Sequence, residues 1–378
     1  MKNYFRMPVM TCSHAGVGPF ANTRRTLGAL TRALAVMTLV LTVSGCATTT
    51  YSFHLRKHGV ENGHKLVWPQ QPDVPRFMYL GEITGENNYD KSAAGSLDKF
   101  IDAVVGFVAG ESAPDMLQRP QSGVTDENGD TYVTDVSRQA VYVFSQSQNL
   151  RIWNMAGKHQ KFLAPIAVAL GKGGELLVTD AELGIVARLS PDGAPLGVIG
   201  KGDLKRPTGI ARDSDNGLIF VADTYDHNIK VFDDNGDLVR VIGHRGAEKG
   251  TLNYPIHLAC AKGKIYVTDT LNARVQVFDE EGNFLFTFGK RGLYKGEFTR
   301  PKGIAVDSDG NIYVIESFYD YLLVYNNKGV FLMPLGGSGS EPGKFYLPAG
   351  VWVDNKDRVF VADMFNRRVV VFQYLGGS

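Results

Sequence analysis

The chain has 378 residues, of which 44% are hydrophobic, 11% aromatic and 43 glycine, which supports a large core and suits a turn-rich all-β protein. Residues 1–45 contain five basic side chains and no acid, so the remainder has 35 basic against 39 acidic residues and a net charge of −4. This acidic balance, together with the absence of any zinc-binding spacing, argues against nucleic-acid binding and against a ubiquitin-ligase role.

Residues 1–45 are predicted to be a signal peptide. The basic stretch leads into an apolar run over 33–43 that is too short to span a bilayer comfortably. The run ends in LTVSGC (41–46), which resembles the bacterial lipobox, a motif cut before its cysteine, which is then lipidated. The resemblance implies a lipid anchor on Cys46, and Ala47 in place of Asp favours the outer membrane. Ordinary cleavage with an unmodified Cys46, and twin-arginine export through Arg24 and Arg25, remain alternatives.

Residues 46–74 are predicted to be the lipidated cysteine and a flexible tether, because they are polar or proline-containing and lack periodicity. Cys12 lies in the signal peptide and Cys46 would be acylated, so no disulfide is expected within the mature chain. The third cysteine, Cys260, follows apolar residues in a predicted strand, and we expect a buried, inert thiol there.

Two elements are predicted before the repeats begin. Residues 77–84 (FMYLGEIT) read as an isolated strand. Residues 96–108 carry apolar side chains at helical spacing behind a capping Ser96, which predicts one short helix packed on the main domain.

Six copies of one unit follow, starting near residues 119, 164, 206, 254, 300 and 347. Each opens with a proline, and the prolines are 42 to 48 residues apart: Pro120, Pro165, Pro207, Pro255, Pro301 and Pro348. An acid closes the second apolar run of every unit: Asp135, Asp180, Asp223, Asp269, Glu316 and Asp363. Four short strands per unit, with apolar inner strands that need neighbours on both faces, predict a six-bladed β-propeller of four-stranded antiparallel blades over 75–378. The sixth unit lacks a fourth strand, so we expect residues 77–84 to complete it and to cover its edge.

The linkers between units carry a recurrent pattern, G-x-x-G-x-x-x-G-x-[FL]-x-x-P, at 243–255, 289–301 and 336–348. Together with the strands that follow, this pattern resembles the NHL repeat over roughly residues 118–374. The first two units keep the spacing but lose the glycine linker. The resemblance implies a propeller that binds a partner on one face, as some NHL proteins bind RNA.

We define the loop face as the surface formed by the linkers entering each first strand and the turns between second and third strands. Basic linkers and aromatic turns meet there, which favours a docking surface. The candidate binding residues are Tyr225, His227, Arg245, His257, Arg274, Arg291, Tyr319, Phe365 and Arg367. The six repeat acids are interpreted as structural, each pairing with backbone amides or with an arginine of its own turn, as Asp269 with Arg274 and Asp363 with Arg368.

Six-bladed propellers with lyase, lactonase or hydrolase activity, which this chain resembles in architecture, hold a metal in the central channel. Here the residues after the opening prolines offer one histidine, His257, and no carboxylate. We therefore assign no catalytic residue, metal or cofactor.

The predicted function is that of a monomeric, lipid-anchored, extracytoplasmic binding or scaffolding protein of the bacterial cell envelope, which docks a protein or peptide. A propeller enzyme, a lyase, lactonase or hydrolase with a loop-built site, is the alternative.

Overall fold

Glycine, asparagine and aspartate turns divide the chain into short strands, and the computed structural model arranges them as antiparallel sheets. The structure describes residues 50–57, 65–92 and 113–376. The predicted signal peptide, Cys46, part of the tether and the predicted helix 96–108 lie outside these residues. Within the described ranges, no helix is long and apolar enough to cross a membrane.

Four strands precede the repeats: β1 (Thr50–Phe53), β2 (Val67–Trp68), β3 (Phe77–Ile83) and β4 (Tyr89–Ser92). Blade 1 consists of β5 (Pro120–Thr125), β6 (Thr131–Asp135), β7 (Ala140–Phe144) and β8 (Arg151–Trp153). A small hairpin follows, β9 (Met155–Gly157) and β10 (Gln160–Lys161). Blade 2 consists of β11 (Pro165–Leu170), β12 (Leu176–Asp180), β13 (Ile185–Leu189) and β14 (Pro195–Ile199).

Blades 3 to 5 repeat this plan. Blade 3 has β15 (Pro207–Arg212), β16 (Ile219–Asp223), β17 (Asn228–Phe232) and β18 (Leu238–Ile242). Blade 4 has β19 (Pro255–Ala261), β20 (Lys264–Asp269), β21 (Arg274–Asp279) and β22 (Phe284–Phe288). Blade 5 has β23 (Pro301–Val306), β24 (Ile312–Glu316), β25 (Tyr321–Tyr325) and β26 (Phe331–Gly336). Three single-turn 3₁₀ helices lie at Glu86–Asn88, Lys172–Gly174 and Thr270–Asn272.

Blade 6 draws on both ends of the described chain. Its own repeat supplies β27 (Val351–Val353), β28 (Arg358–Asp363) and β29 (Arg368–Tyr374), and the sheet order is β27-β28-β29-β3-β2. Strand β3 pairs antiparallel with β29, from Ile83 opposite Val369 to Phe77 opposite Tyr374. Neighbouring inner strands contact each other all the way round, and the last, β27, contacts the first, β5. The predicted all-β, six-bladed propeller is therefore confirmed.

The hydrophobic core lies between blades rather than in one central cluster. Six clusters of buried side chains fill the six interfaces; the one between blades 3 and 4, for example, packs Phe220 and Val231 against Leu258 and Val267. Each fully buried side chain of this size contributes about 1.5–3 kcal/mol relative to exposure. Because each face of a blade is covered by its neighbour, no blade can bury its core alone.

Threonine hydroxyls add a second set of contacts near the inner strands. Thr179 of blade 2 donates to the carbonyl of Thr208 in blade 3 at 2.6 Å, and Thr270 of blade 4 donates to the carbonyl of Pro301 in blade 5 at 2.8 Å. Both hydroxyls are buried, so each bond satisfies a carbonyl that water does not reach. These bonds fix the position of one inner strand relative to the next.

Candidate functional site on the loop face

The acid that ends the second strand of each blade is buried in all six blades. In blade 2 the carboxylate of Asp180 accepts hydrogen bonds from four backbone N–H groups, those of Leu163, Ala164, Glu182 and Leu183, at 2.7–3.1 Å. Asp135 is bound in the same way in blade 1. The acid joins the linker that enters the blade to the turn after the second strand, and it thereby holds the loop face in shape.

In blades 4 and 6 an arginine completes this arrangement. Arg274 Nε donates to Asp269 at 2.8 Å, while its Nη2 reaches the carbonyls of Glu248 and Thr251 in the preceding linker. Arg368 does the same with Asp363 at 2.9 Å and with the linker carbonyls of residues 340, 341 and 344. The two pairs that the sequence suggested are both present. Burial disfavours the Arg368 cation, but Asp363 and Glu82 outweigh it and raise the pKa of Arg368.

Exposed apolar side chains recur two residues after the acid in four consecutive blades. They are Tyr225, Leu271, Phe318 and Phe365, with exposed fractions of 53%, 50%, 50% and 45%. Blades 1 and 2 carry Ser137 and Glu182 at this position. The apolar side chains therefore form an arc over blades 3 to 6, which we call the apolar arc.

Arginines that directly precede an opening proline stack on three members of the apolar arc. The guanidinium carbons of Arg206, Arg300 and Arg119 lie 5.0, 5.8 and 5.5 Å from the ring centroids of Tyr225, Phe318 and Phe365. The Arg119 contact bridges blade 1 and blade 6. Stacking stabilises an exposed ring through its negative face, while the N–H donors of the guanidinium group still point outwards from its edge; one of those of Arg206 binds Glu182 at 2.8 Å.

The structure separates the nine predicted binding residues into two groups. Exposed on the loop face are Tyr225, Arg245, Arg291, Phe365 and Arg367, and Tyr319 is half-buried. His227, His257 and Arg274 are largely buried. His227 Nδ1 accepts a hydrogen bond from the Tyr254 N–H at 3.2 Å, and burial lowers its pKa. His227 and Arg274 therefore support the loop face from beneath.

His257 and Lys302 lie on the inner strands β19 and β23, one or two residues after the opening proline. Burial, reinforced by the charge of Lys302, lowers the pKa of His257 to about 4, so this imidazole is neutral at pH 7. Burial, reinforced by Arg300 and Arg119, lowers the pKa of Lys302 to about 8. Among the residues that the structure describes, no group of three or more His, Cys, Asp or Glu could hold a metal ion.

The nine candidate binding residues did not include Leu271, Phe318, Arg119 and Arg206. The first two occupy the same position as Tyr225 and Phe365 when the units are aligned on their acids. The two arginines both precede an opening proline, as Arg300 does. The alignment on the acids and prolines therefore contained the signal, although it could not show which side chains are exposed.

Comparisons with known proteins agree with this architecture. Residues 204–232 match the NHL repeat, and residues 248–326 match a six-bladed beta-propeller family, DUF5128. The protein is a six-bladed β-propeller that carries an NHL repeat. The NHL match covers β15 to β17 of blade 3, where Tyr225 and Arg206 lie. Comparison with curated proteins finds no match to the sequence.

Solved structures with the fold of this six-bladed propeller include enzymes and a binding protein. Virginiamycin B lyase from Staphylococcus aureus is 15% identical with a TM-score of 0.51, covering 68% of this chain and 95% of its own. A gluconolactonase from Xanthomonas campestris is 14% identical (TM-score 0.52, 69% and 89%). An auxiliary nutrient binding protein from Bacteroides thetaiotaomicron is 9% identical (TM-score 0.57, 87% and 77%). At these identities the similarity shows the fold alone.

Proposed function

We propose that this NHL propeller is a lipid-anchored, extracytoplasmic docking protein of the bacterial cell envelope that binds a protein or peptide partner on its loop face. The observation that carries the proposal is the apolar arc with its stacked arginines. Large apolar side chains that are about half exposed recur at one position of four consecutive blades and so mark one face of the propeller, which single scattered exposed apolar residues would not do. Aromatic residues and arginine are also the side chains that are enriched where partners bind most strongly.

The outer strands provide a contrast within the same molecule. Leu196, Leu238 and Leu332 are 58%, 43% and 50% exposed, and each lies on the fourth strand of a different blade, on the circumference of the propeller. All three are aliphatic, so none of them offers a ring face on which a guanidinium group can stack. Exposure of apolar side chains alone therefore does not define the proposed site. The site is defined by exposed apolar side chains together with the arginines that stack on them.

Site-specific photo-cross-linking tests the proposal. A benzophenone amino acid replaces Phe318 on the loop face or Leu332 on the outer strand of the same blade, two positions of equal exposure. We expect position 318 to yield a defined cross-linked species in intact cells, and position 332 to yield none. The double variant Tyr225→Ser, Phe365→Ser should abolish this product, whereas Leu196→Ser, Leu238→Ser should retain it. Equal cross-linking from both positions, or none from position 318, would contradict the proposal.

A second candidate is catalysis on the inner strands, and the paired shifts at His257 and Lys302 favour it. A lysine whose pKa is about 8 can hold or release a proton near neutral pH. Turnover of a panel of lactones and peptides, compared between the wild type and Lys302→Met, tests this candidate. Activity that is lost with Lys302 would favour an enzyme, and no turnover by either protein would exclude the tested substrates.

A further inference from the structure

Blade 5 has an opening where blades 4 and 6 have an arginine. Arg274 and Arg368 lie five residues after their acids, and Tyr321 lies five residues after Glu316. Between Tyr321, Glu316 and the linker over 293–297 lies a cavity of about 210 Å³. The repeat thus leaves open in blade 5 a space that two other blades fill with their own guanidinium group.

The linkers around this space have the same conformation in all three blades. In each linker a backbone N–H donates to the carbonyl three residues earlier. The bond runs from Thr251 to Glu248 in blade 4, from Glu297 to Tyr294 in blade 5, and from Lys344 to Glu341 in blade 6. Arg274 binds the carbonyls of Glu248 and Thr251. The corresponding residues Tyr294 and Glu297 both line the cavity. Blade 5 therefore keeps the cradle for a guanidinium group and lacks the arginine.

The carboxylate in this cavity is bound by backbone N–H groups alone, whereas Asp223, Asp269 and Asp363 each pair with a lysine or an arginine. Glu316 is 1% exposed and accepts bonds from three backbone N–H groups, those of residues 299, 300 and 318, at 2.8–3.0 Å. It makes no ion pair in the described part of the chain. Asp135 and Asp180 also lack a cation, but each accepts from four N–H groups. A buried carboxylate without a counter-ion favours a cationic ligand.

The walls of the cavity suit a planar cation. Tyr294, Tyr319 and Tyr321 line it, in place of the asparagine and arginine side chains that fill blades 4 and 6. Lys295 also lines the cavity, and its ammonium group lies 5.9 Å from the Tyr321 centroid, within the range of a cation–π contact. A guanidinium group combines stacking on rings with several N–H donors for the carboxylate and the linker carbonyls.

We propose that the blade 5 cavity is a recognition pocket for the guanidinium group of an arginine side chain in a bound peptide. This inference rests on the proposed docking function and names the chemistry of one contact. The ligand arginine would take the position that Arg274 and Arg368 hold in their own blades, with its guanidinium group against Glu316.

Titration of the full-length protein in detergent with N-acetyl-L-argininamide, followed by calorimetry, tests the pocket. N-acetyl-L-citrullinamide, which has nearly the same shape and no charge, is the control ligand. We expect saturable binding of the arginine amide and at least about tenfold weaker binding of the citrulline amide. Equal binding of the two amides, or no binding of either, would overturn the proposal.

Two variants locate the binding. Glu316→Gln removes the charge, and Tyr321→Arg fills the cavity with an internal guanidinium group, so both should abolish binding of the arginine amide. The exposed Glu182→Gln should bind like the wild type. Tyr321→Arg introduces the arginine that blades 4 and 6 already accommodate, so we expect this variant to fold even if Glu316→Gln does not. Unchanged binding of the arginine amide by Tyr321→Arg would overturn the proposed pocket.

Cross-linking from position 318 separates this proposal from the docking function. Loss of amide binding in Tyr321→Arg, with weakened cross-linking from position 318, would support both. An absent amide signal with intact wild-type cross-linking would remove the pocket and leave docking. Specific amide binding without any cross-linking would remove docking on this face and retain the pocket as a ligand site.

Discussion

The guanidinium group of Arg368 lies 2.9 Å from the carboxylate of Glu82, although the two residues are 286 positions apart in the sequence. Both side chains are at least nine-tenths buried, and Arg368 also binds Asp363 and three linker carbonyls. The ion pair therefore joins strand β3 to strand β29 inside blade 6. Through the bonds of Arg368 to the linker carbonyls, the same side chain also connects these two strands to the linker on the loop face.

Removing one partner of this pair should be costly because the other charge stays buried. We expect Glu82→Gln to lower the free energy of unfolding by about 3–5 kcal/mol, measured by urea denaturation. The matched control is Glu182→Gln, which breaks a pair with Arg206 in which the glutamate is 56% exposed, and there we expect a loss of no more than about 1 kcal/mol. Similar losses in both variants would show that the buried pair has no special role in stability.

The threonine contacts between blades can be tested at Thr270. Replacing its hydroxyl by a methyl group in Thr270→Val leaves the buried carbonyl of Pro301 without its 2.8 Å hydrogen bond, so we expect a loss of about 1–3 kcal/mol. Thr251→Val removes an exposed hydroxyl that bonds within its own linker, and its stability should stay within about 0.5 kcal/mol of the wild type. If the two variants unfold at the same urea concentration, the bond between blades contributes nothing measurable.

The buried imidazole of His257 should make stability depend on pH. Its pKa is lowered to about 4 by burial, whereas an unfolded histidine titrates near 6.5, so between these values the unfolded chain binds more protons. Stability should therefore fall as the pH falls from about 6.5 to 4, by up to about 3 kcal/mol more in the wild type than in His257→Gln. Urea denaturation at pH 7, 5.5 and 4 measures the difference, and His244→Gln, at an exposed site, is the control. Parallel curves for the wild type and His257→Gln would contradict this account.

The proposed lipid anchor gives a prediction outside the described residues. Cys46→Ala should move the protein from the membrane fraction to the soluble fraction of lysed cells, since acyl chains are expected to provide the attachment. Cys260→Ala changes a half-buried thiol in β19 and should stay in the membrane fraction. Retention of Cys46→Ala on membranes after a high-salt wash would argue against lipid anchoring.

The fold could be predicted from the sequence because each repeat corresponds to one blade and each short apolar run corresponds to one strand of that blade. Prolines start the inner strands in the first five blades, and Asp269 with Arg274 shows that a short spacing can identify an ion pair. Burial was harder to predict, because whether His257 or Phe318 reaches solvent depends on the neighbouring blade. The cavity in blade 5 was not predictable either. The sequence shows that Tyr321 occupies the position of an arginine in blades 4 and 6, but whether other side chains fill the space depends on the packing around it.

The pairing of β3 with β29 sets the order in which the ring can be completed. Strand β3 precedes all six repeats in the sequence, whereas its partner belongs to the sixth repeat, so this contact has one of the largest sequence separations among the described residues. Contacts of this kind form slowly because a long loop must close first. Until then the apolar side chains of Phe77 and Tyr79 and the edge of β29 lack their cover. We therefore expect a nascent chain to be most prone to aggregation while the sixth blade is incomplete, and a chaperone that shields residues 77–83 to reduce that aggregation.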